Sequence, residues 1–224
     1  MGDDPGHLGL GVERQESTYK QAEGKLTCSA RSELMAKHSL DFSAMERWLW
    51  PNEICRERYI YMTCLRDPIG RIKSSIKFHR LQTPQIIESW ATTDFFNPAA
   101  PISNGSPSVD NFYVRSFAGK NVYMKPLGQV NANDLSIAKQ LLQQFEVVLI
   151  LEKLNDRDLV QLEKRLHWRK TSLPQTPKKS RAKKNDALSA QQESLLRERN
   201  ALDMSFYAYA DQVAAAISNE CELG

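Results

Sequence analysis

Residues 59–80 read YIYMTCLRDPIGRIKSSIKFHR, and the reading of this stretch decides the fold class. Its first seven residues, Tyr59 to Leu65, form a short, β-branched and aromatic run, the pattern of a buried strand. Asp67 is a good helix N-cap, and Pro68 suits the first helical position, where a missing N–H costs nothing. Ile69, Ile72 and Ile76 then recur at helical spacing, which predicts a strand, a tight turn and a helix over 59–81. Cys64, inside the strand, is expected to be a buried small hydrophobe.

Around this unit, residues 1–24 hold few large apolar side chains and are expected to be disordered, with one domain over 25–218. KLTCSA at 25–30 reads as a short strand, and SAMERWLW at 43–50 as a helix with Ser43 as its cap. Residues 83–110 are polar and carry Pro84, Pro98, Pro101 and Pro107, a loop long enough to suggest a functional role. NDLSIAKQLLQQF (133–145) is an amphipathic helix, VVLIL (147–151) a second buried strand, and DRDLVQLEKRL (156–166) another amphipathic helix. A Pro- and Lys-rich loop (172–186) leads to a long closing helix near 187–218 with Leu195, Leu202, Phe206, Tyr209, Val213 and Ile217 inward. Buried strands alternating with helices predict an α/β domain, a parallel sheet flanked by helices.

The 224 residues are 41% hydrophobic, enough for one core of this kind. The net charge of +3 is mild, but seven Lys/Arg and no acid lie between Arg169 and Lys184, which points to a local anionic partner. No apolar run approaches the roughly 20 residues that span a bilayer. The polar N-terminus lacks the basic and apolar regions of a signal peptide. Cys28, Cys55, Cys64 and Cys221 show no CxxC pair and no metal-ligand spacing, so no metal is expected and the redox compartment stays open.

In a parallel sheet, ligands bind beyond the carboxyl ends of the strands. Arg66 stands at such an end, beside a helix N-terminus whose free N–H groups attract anions. Ser74 lies roughly 9 Å along the same helix. A phosphate held there takes a forked guanidinium contact and a hydroxyl contact together. The alternative is a surface arginine closing a strand and a serine facing solvent.

The segment TCLRDPIGRIKSS resembles the 3′-phosphate-binding segment of the Golgi carbohydrate sulfotransferases, where an RDP or REP turn precedes a serine eight residues after the arginine. DNFYVRSFAG (110–119), FEVVLILEKL (145–154) and LRERNALDMSFYAYA (196–210) are similar to three further family segments, in the family's order. The resemblance spans residues 35–215 and is strongest to the 2-O-sulfotransferases that act on uronic acids. It implies a P-loop-NTPase-like sulfotransferase fold, transfer of a sulfuryl group from 3′-phosphoadenosine 5′-phosphosulfate (PAPS) to a glycan hydroxyl, and a lumenal Golgi membrane setting.

By the same resemblance, Arg66 and Ser74 hold the nucleotide, and Asn111 and Arg115 belong to the substrate side or to the scaffold. Arg169, Lys170, Lys178, Lys179, Ser180 and Arg181 sit where the family places a loop closing over the nucleotide; a solvated basic loop is the alternative. His38, three residues before Asp41-Phe42, is the candidate base for the acceptor hydroxyl, with a plain surface histidine as the other reading. The 83–110 loop lines the acceptor cleft. A nucleic-acid partner predicts aromatics interleaved with the basic loop, and only Trp168 is near it, so none is expected.

The family's K-x-G-T-[TS]-like run, which cradles the 5′-phosphosulfate, has no counterpart; EGKLT (23–27) follows no buried strand. The expectation is therefore an N-terminally incomplete domain, or else a degenerate homologue that binds nucleotide or glycan without transfer.

Overall fold

The structure is a computed structural model, and it describes residues 27–44, 48–50, 52–78, 109–166 and 188–223. Strand β1 (Met62–Leu65) pairs in parallel with β2 (Val147–Ile150), with Met62 opposite Val147 and Leu65 opposite Ile150. These are the two strands expected from their apolar runs, and they form the one sheet among the described residues. Between them the chain passes through α2 (Pro68–Phe78), α3 (Phe112–Phe117), α4 (Lys120–Tyr123) and α5 (Ala132–Leu142), after the opening helix α1 (Cys28–Lys37). Beyond β2 come a single 3-10 turn (Leu151–Lys153), α6 (Asp156–Leu166), α7 (Ala190–Arg199) and α8 (Ala201–Leu223). The architecture is mixed α/β, a small parallel sheet among mostly helices. No helix of the described residues is long and apolar enough to cross a membrane.

Local chemistry explains the elements. Asp67 accepts the Gly70 N–H at 2.7 Å and so caps α2 from the turn. Asn131 and Asp134 form a reciprocal capping box that starts α5. β2 is buried along its whole length, whereas at β1 Leu65 and Tyr61, just before the strand, face inward and Cys64 outward. The core draws on α3, α5, β2 and α8, and an aromatic chain runs through it: Tyr61, before β1, to Phe145, between α5 and β2 (5.9 Å between centroids), Phe145 to Phe117 in α3 (5.5 Å) and Phe117 to Phe206 in α8 (5.1 Å). Such pairs add about 0.5–1.5 kcal/mol each beyond burial.

Four expectations are corrected. Residues 28–30 open helix α1 instead of ending a strand, because Thr27 accepts the Ala30 N–H and caps a run that continues to Lys37. Ser43, Ala44 and Trp48–Trp50 are not helical; Leu49 is held by its N–H on the Ser116 carbonyl at 2.8 Å. Cys64 is exposed, because it alternates with the buried Leu65 and Tyr61 and points away from the core. The closing helix is broken in two at Asn200. Cys28 and Cys55 form a disulfide that ties α1 to the segment before β1, beside a buried Arg31–Glu53 ion pair at 2.6 Å. Arg31 also donates to the Tyr61 hydroxyl at 2.7 Å.

Candidate functional site

The parallel register carries Arg66 and Asp67 alongside the 3-10 turn that follows β2, so both strands deliver their polar ends to one place. The Arg66 backbone is pinned there by Tyr113, whose hydroxyl lies 3.0 Å from the Arg66 N and 2.9 Å from its carbonyl oxygen. Burial pushes the Tyr113 phenol up to about 12, only partly offset by its hydrogen bond to the Arg66 backbone and the Arg71 charge, so it stays protonated.

The Arg66 side chain lies across the first turn of α2. A methyl group on Gly70 would meet its Nε at 3.3 Å, so glycine makes room for the guanidinium. Ser74 is exposed and stands four residues on from Gly70, hence one turn up the same helix face. Arg66 thus precedes α2 and lies against its first turn, while Ser74 is one turn further along the helix from Gly70. Lys73, beside them, is paired with Glu193 at 2.5 Å.

A third group, not anticipated from sequence, shares this corner. Glu152 accepts the Asp67 N–H at 3.1 and 3.2 Å, accepts the Tyr207 hydroxyl at 2.9 Å, and lies 3.6 Å from Arg66 Nε. Pro68 has no N–H and Gly70 donates to Asp67, so the head of α2 is served largely from within the chain. The one signal in sequence was a charged LEK step directly after a buried strand, which does not by itself say which neighbour it meets.

Asn111 and Arg115 are buried, and the chain uses their polar atoms itself. The Arg115 guanidinium donates to the Asp110 carboxylate and to the carbonyls of Asp110 (2.7 Å), Val122 (3.3 Å), Tyr123 (3.0 Å), Lys125 (2.6 Å) and Pro126 (3.0 Å). Asn111 and Asn200 clasp α3 to the α7–α8 break: the Asn111 N–H donates to Asn200 Oδ1 at 2.8 Å, and Asn200 Nδ2 to the Val109 carbonyl at 2.7 Å. Of the two readings these residues had, the scaffold is the one their contacts fill. His38 is exposed at the C-terminal end of α1, whose contacts run to Tyr61 at the other end of β1; no hydrogen bond or ion pair joins it to the Arg66 cluster. The predicted nucleotide loop, with Arg169, Lys170, Lys178, Lys179, Ser180 and Arg181, lies outside the described residues, as do segment 1–24 and the 83–110 loop except Val109 and Asp110.

Behind the corner, Asp203 is fully buried and accepts the N–H groups of Tyr113 (3.0 Å) and Val114 (2.9 Å) at the head of α3. Burial pushes its carboxyl from an ordinary 3.8 up to about 6, against those two N–H groups and the Arg71 charge. Between these values the folded chain keeps a proton that the unfolded chain has lost. Its contribution to stability is therefore full below about pH 4 and declines as pH rises through about 6. Compared with Asp203→Asn by urea unfolding, wild type should lose relative stability between pH 4 and pH 7. A difference that stays constant or widens in favour of wild type over that range contradicts the assignment.

No protein-family model, curated protein or solved structure matches the chain.

Proposed function

We propose that this chain is a PAPS-dependent carbohydrate sulfotransferase whose Arg66 and Ser74 bind the 3′-phosphate of the nucleotide. The observation that carries the reading is the placement of the Arg66 guanidinium over Gly70, one helical turn from the Ser74 hydroxyl, at the carboxyl ends of two parallel strands. A guanidinium fork and a hydroxyl along one helix form a donor set suited to a phosphate dianion. The Cys28–Cys55 disulfide supports a setting in an oxidising lumen, as the resemblance to Golgi enzymes implies.

In this reading PAPS supplies the activated sulfuryl group, and the sulfur–oxygen bond to its 5′-phosphate breaks as a bond to the acceptor oxygen forms. The chain's own part is to hold the nucleotide so that donor and sugar hydroxyl lie in line. Arg66 fixes the 3′-phosphate, Tyr113 fixes Arg66, and the basic 169–186 loop supplies further positive charge. The base that takes the acceptor's proton is left to His38 only if α1 brings it to this corner. A homologue that binds without transferring is the second reading, favoured by the carboxylate of Glu152 beside Arg66.

Calorimetry with 3′-phosphoadenosine 5′-phosphate and with adenosine 5′-phosphate tests the assignment. Charged hydrogen bonds contribute about 1.5–3 kcal/mol each. Arg66→Ala is therefore expected to weaken binding of the bisphosphate about tenfold or more, and Ser74→Ala less, both losing most of the preference for the 3′-phosphate. Equal affinity of wild type for the two nucleotides refutes the site. Sulfate transfer to a glycan then separates enzyme from binding-only homologue.

A further inference from the structure

We propose that Asp203, in α8, is a positioning residue for the Arg66 anion site, setting it through Tyr113 in a proton-dependent way; this rests on the reading of Arg66 and Ser74 as phosphate ligands. The connection runs through α3. Asn111, which precedes α3 with a φ of 49°, makes no side-chain cap bond to it. Asp203 caps the helix instead, from some ninety positions away: Oδ2 accepts the Tyr113 N–H at 3.0 Å and Oδ1 the Val114 N–H at 2.9 Å. The Asp203 N–H donates in turn to Asn111 Oδ1 at 3.1 Å, which fixes the direction from which the carboxylate approaches. Tyr113, so placed, sets its hydroxyl against both the N–H and the carbonyl of Arg66.

The proton enters because each Asp203 oxygen has one N–H to hold and no exposed surface. A proton on either oxygen weakens the bond it accepts, since a carboxylic hydroxyl is a poorer acceptor than a carboxylate. The groups that face Asp203 are the Arg71 guanidinium from α2, Asp110 ahead of α3, and the Tyr113 phenol within α3. Arg71 favours the ionised form and lies 4.3 Å from the Phe112 ring centroid and 5.5 Å from that of Tyr113, so it rests on the same aromatic pair. Asp110 opposes ionisation and is itself paired with Arg115. Burial outweighs Arg71 and the two N–H groups and brings the carboxyl to about 6. The form that holds both N–H groups, and with them Tyr113, is therefore filled above about pH 6 and emptied below it. Stability and positioning run in opposite directions with pH, because the buried charge that sets Tyr113 costs the fold free energy.

Two measurements on the full chain test this. In NMR spectra of the unliganded protein, the Arg66 amide resonance should shift with an apparent midpoint near pH 6 in wild type, and lose that titration in Asp203→Asn and in Tyr113→Phe. The Tyr113→Phe spectrum decides alone if Asp203→Asn does not fold. In calorimetry with 3′-phosphoadenosine 5′-phosphate, wild type should bind about fivefold tighter than Asp203→Asn at pH 7.5, the effect of roughly one net hydrogen bond, and about equally at pH 5. Comparing the two proteins at each pH cancels the titration of the ligand's own phosphates. In a Tyr113→Phe background, Asp203→Asn should weaken binding no further. A loss that is the same at both pH values, or undiminished in Tyr113→Phe, makes Asp203 a scaffold residue only and overturns the proposal. An Arg66 resonance that does not titrate near pH 6, with the preference for the 3′-phosphate retained, also overturns it and leaves the nucleotide reading standing. Titration of that resonance together with equal wild-type affinity for the bisphosphate and adenosine 5′-phosphate supports the Asp203 link and overturns the nucleotide reading.

Discussion

Arg115→Ala is expected to destabilise the protein by about 3–5 kcal/mol, the loss associated with breaking a buried ion pair by removing one partner. Arg115 has no exposed surface, and its guanidinium is shared among the Asp110 carboxylate and five backbone carbonyls. Truncation leaves the Asp110 charge buried and removes the guanidinium bonds that tie the turn after α4 to the start of α3, although the Val122 and Pro126 carbonyls keep backbone N–H partners from Lys125 and Gln129. Among the described residues, Asp110 keeps the Asn111 Nδ2 and Gly128 N–H groups as partners. Since domains of this size are stable by about 5–15 kcal/mol, the change removes a large share of the total. Arg115→Lys keeps the charge but not the fork, and should fall between the two. Urea unfolding checks this. A substrate-binding arginine would instead lower glycan affinity at an unchanged midpoint, and Arg115→Ala within about 1 kcal/mol of wild type would return the residue to that role.

What sequence could show and what it could not divide along a physical line. The strand–turn–helix at 59–80 was legible because its determinants are local: an apolar run, an Asp cap and a Pro at the first helical position. The α5 helix and β2 were legible for the same reason. KLTCSA at 25–30 reads as a strand, yet the Thr27 hydroxyl acts as a cap, and the following residues form a helix with little amphipathic signal. The break at Asn200 is invisible to periodicity, because apolar spacing runs on through it; the break exists to let Asn200 reach Asn111 and Val109, some ninety positions earlier in the chain. The Glu152 contact depends on the register between β1 and β2, a long-range fact that no local pattern encodes.

Reducing the Cys28–Cys55 disulfide, or replacing both cysteines with serine, is expected to lower stability by about 3.5 kcal/mol. The chain-entropy relation gives that value for a closed loop of this length, the two cysteines being 27 residues apart. The loss should concentrate in α1. That helix has one buried residue, Arg31, and its further hold on the rest is polar: Arg31 to Glu53 and Tyr61, and Ser32 with the Tyr59 hydroxyl at 2.9 Å. Without the covalent tie, the α1 segment must offset its ordering entropy through non-covalent contacts. Hydrogen exchange at Cys28–Lys37 should therefore rise well before exchange in the buried strand Val147–Ile150. Single serine variants leave either a thiol at Cys55, which is 5% exposed, or one at Cys28 without its partner, and both should resemble the double variant in midpoint. Alkylation of both cysteines in the folded, unreduced protein, or a double-serine variant unfolding at the wild-type urea concentration, overturns the covalent clamp.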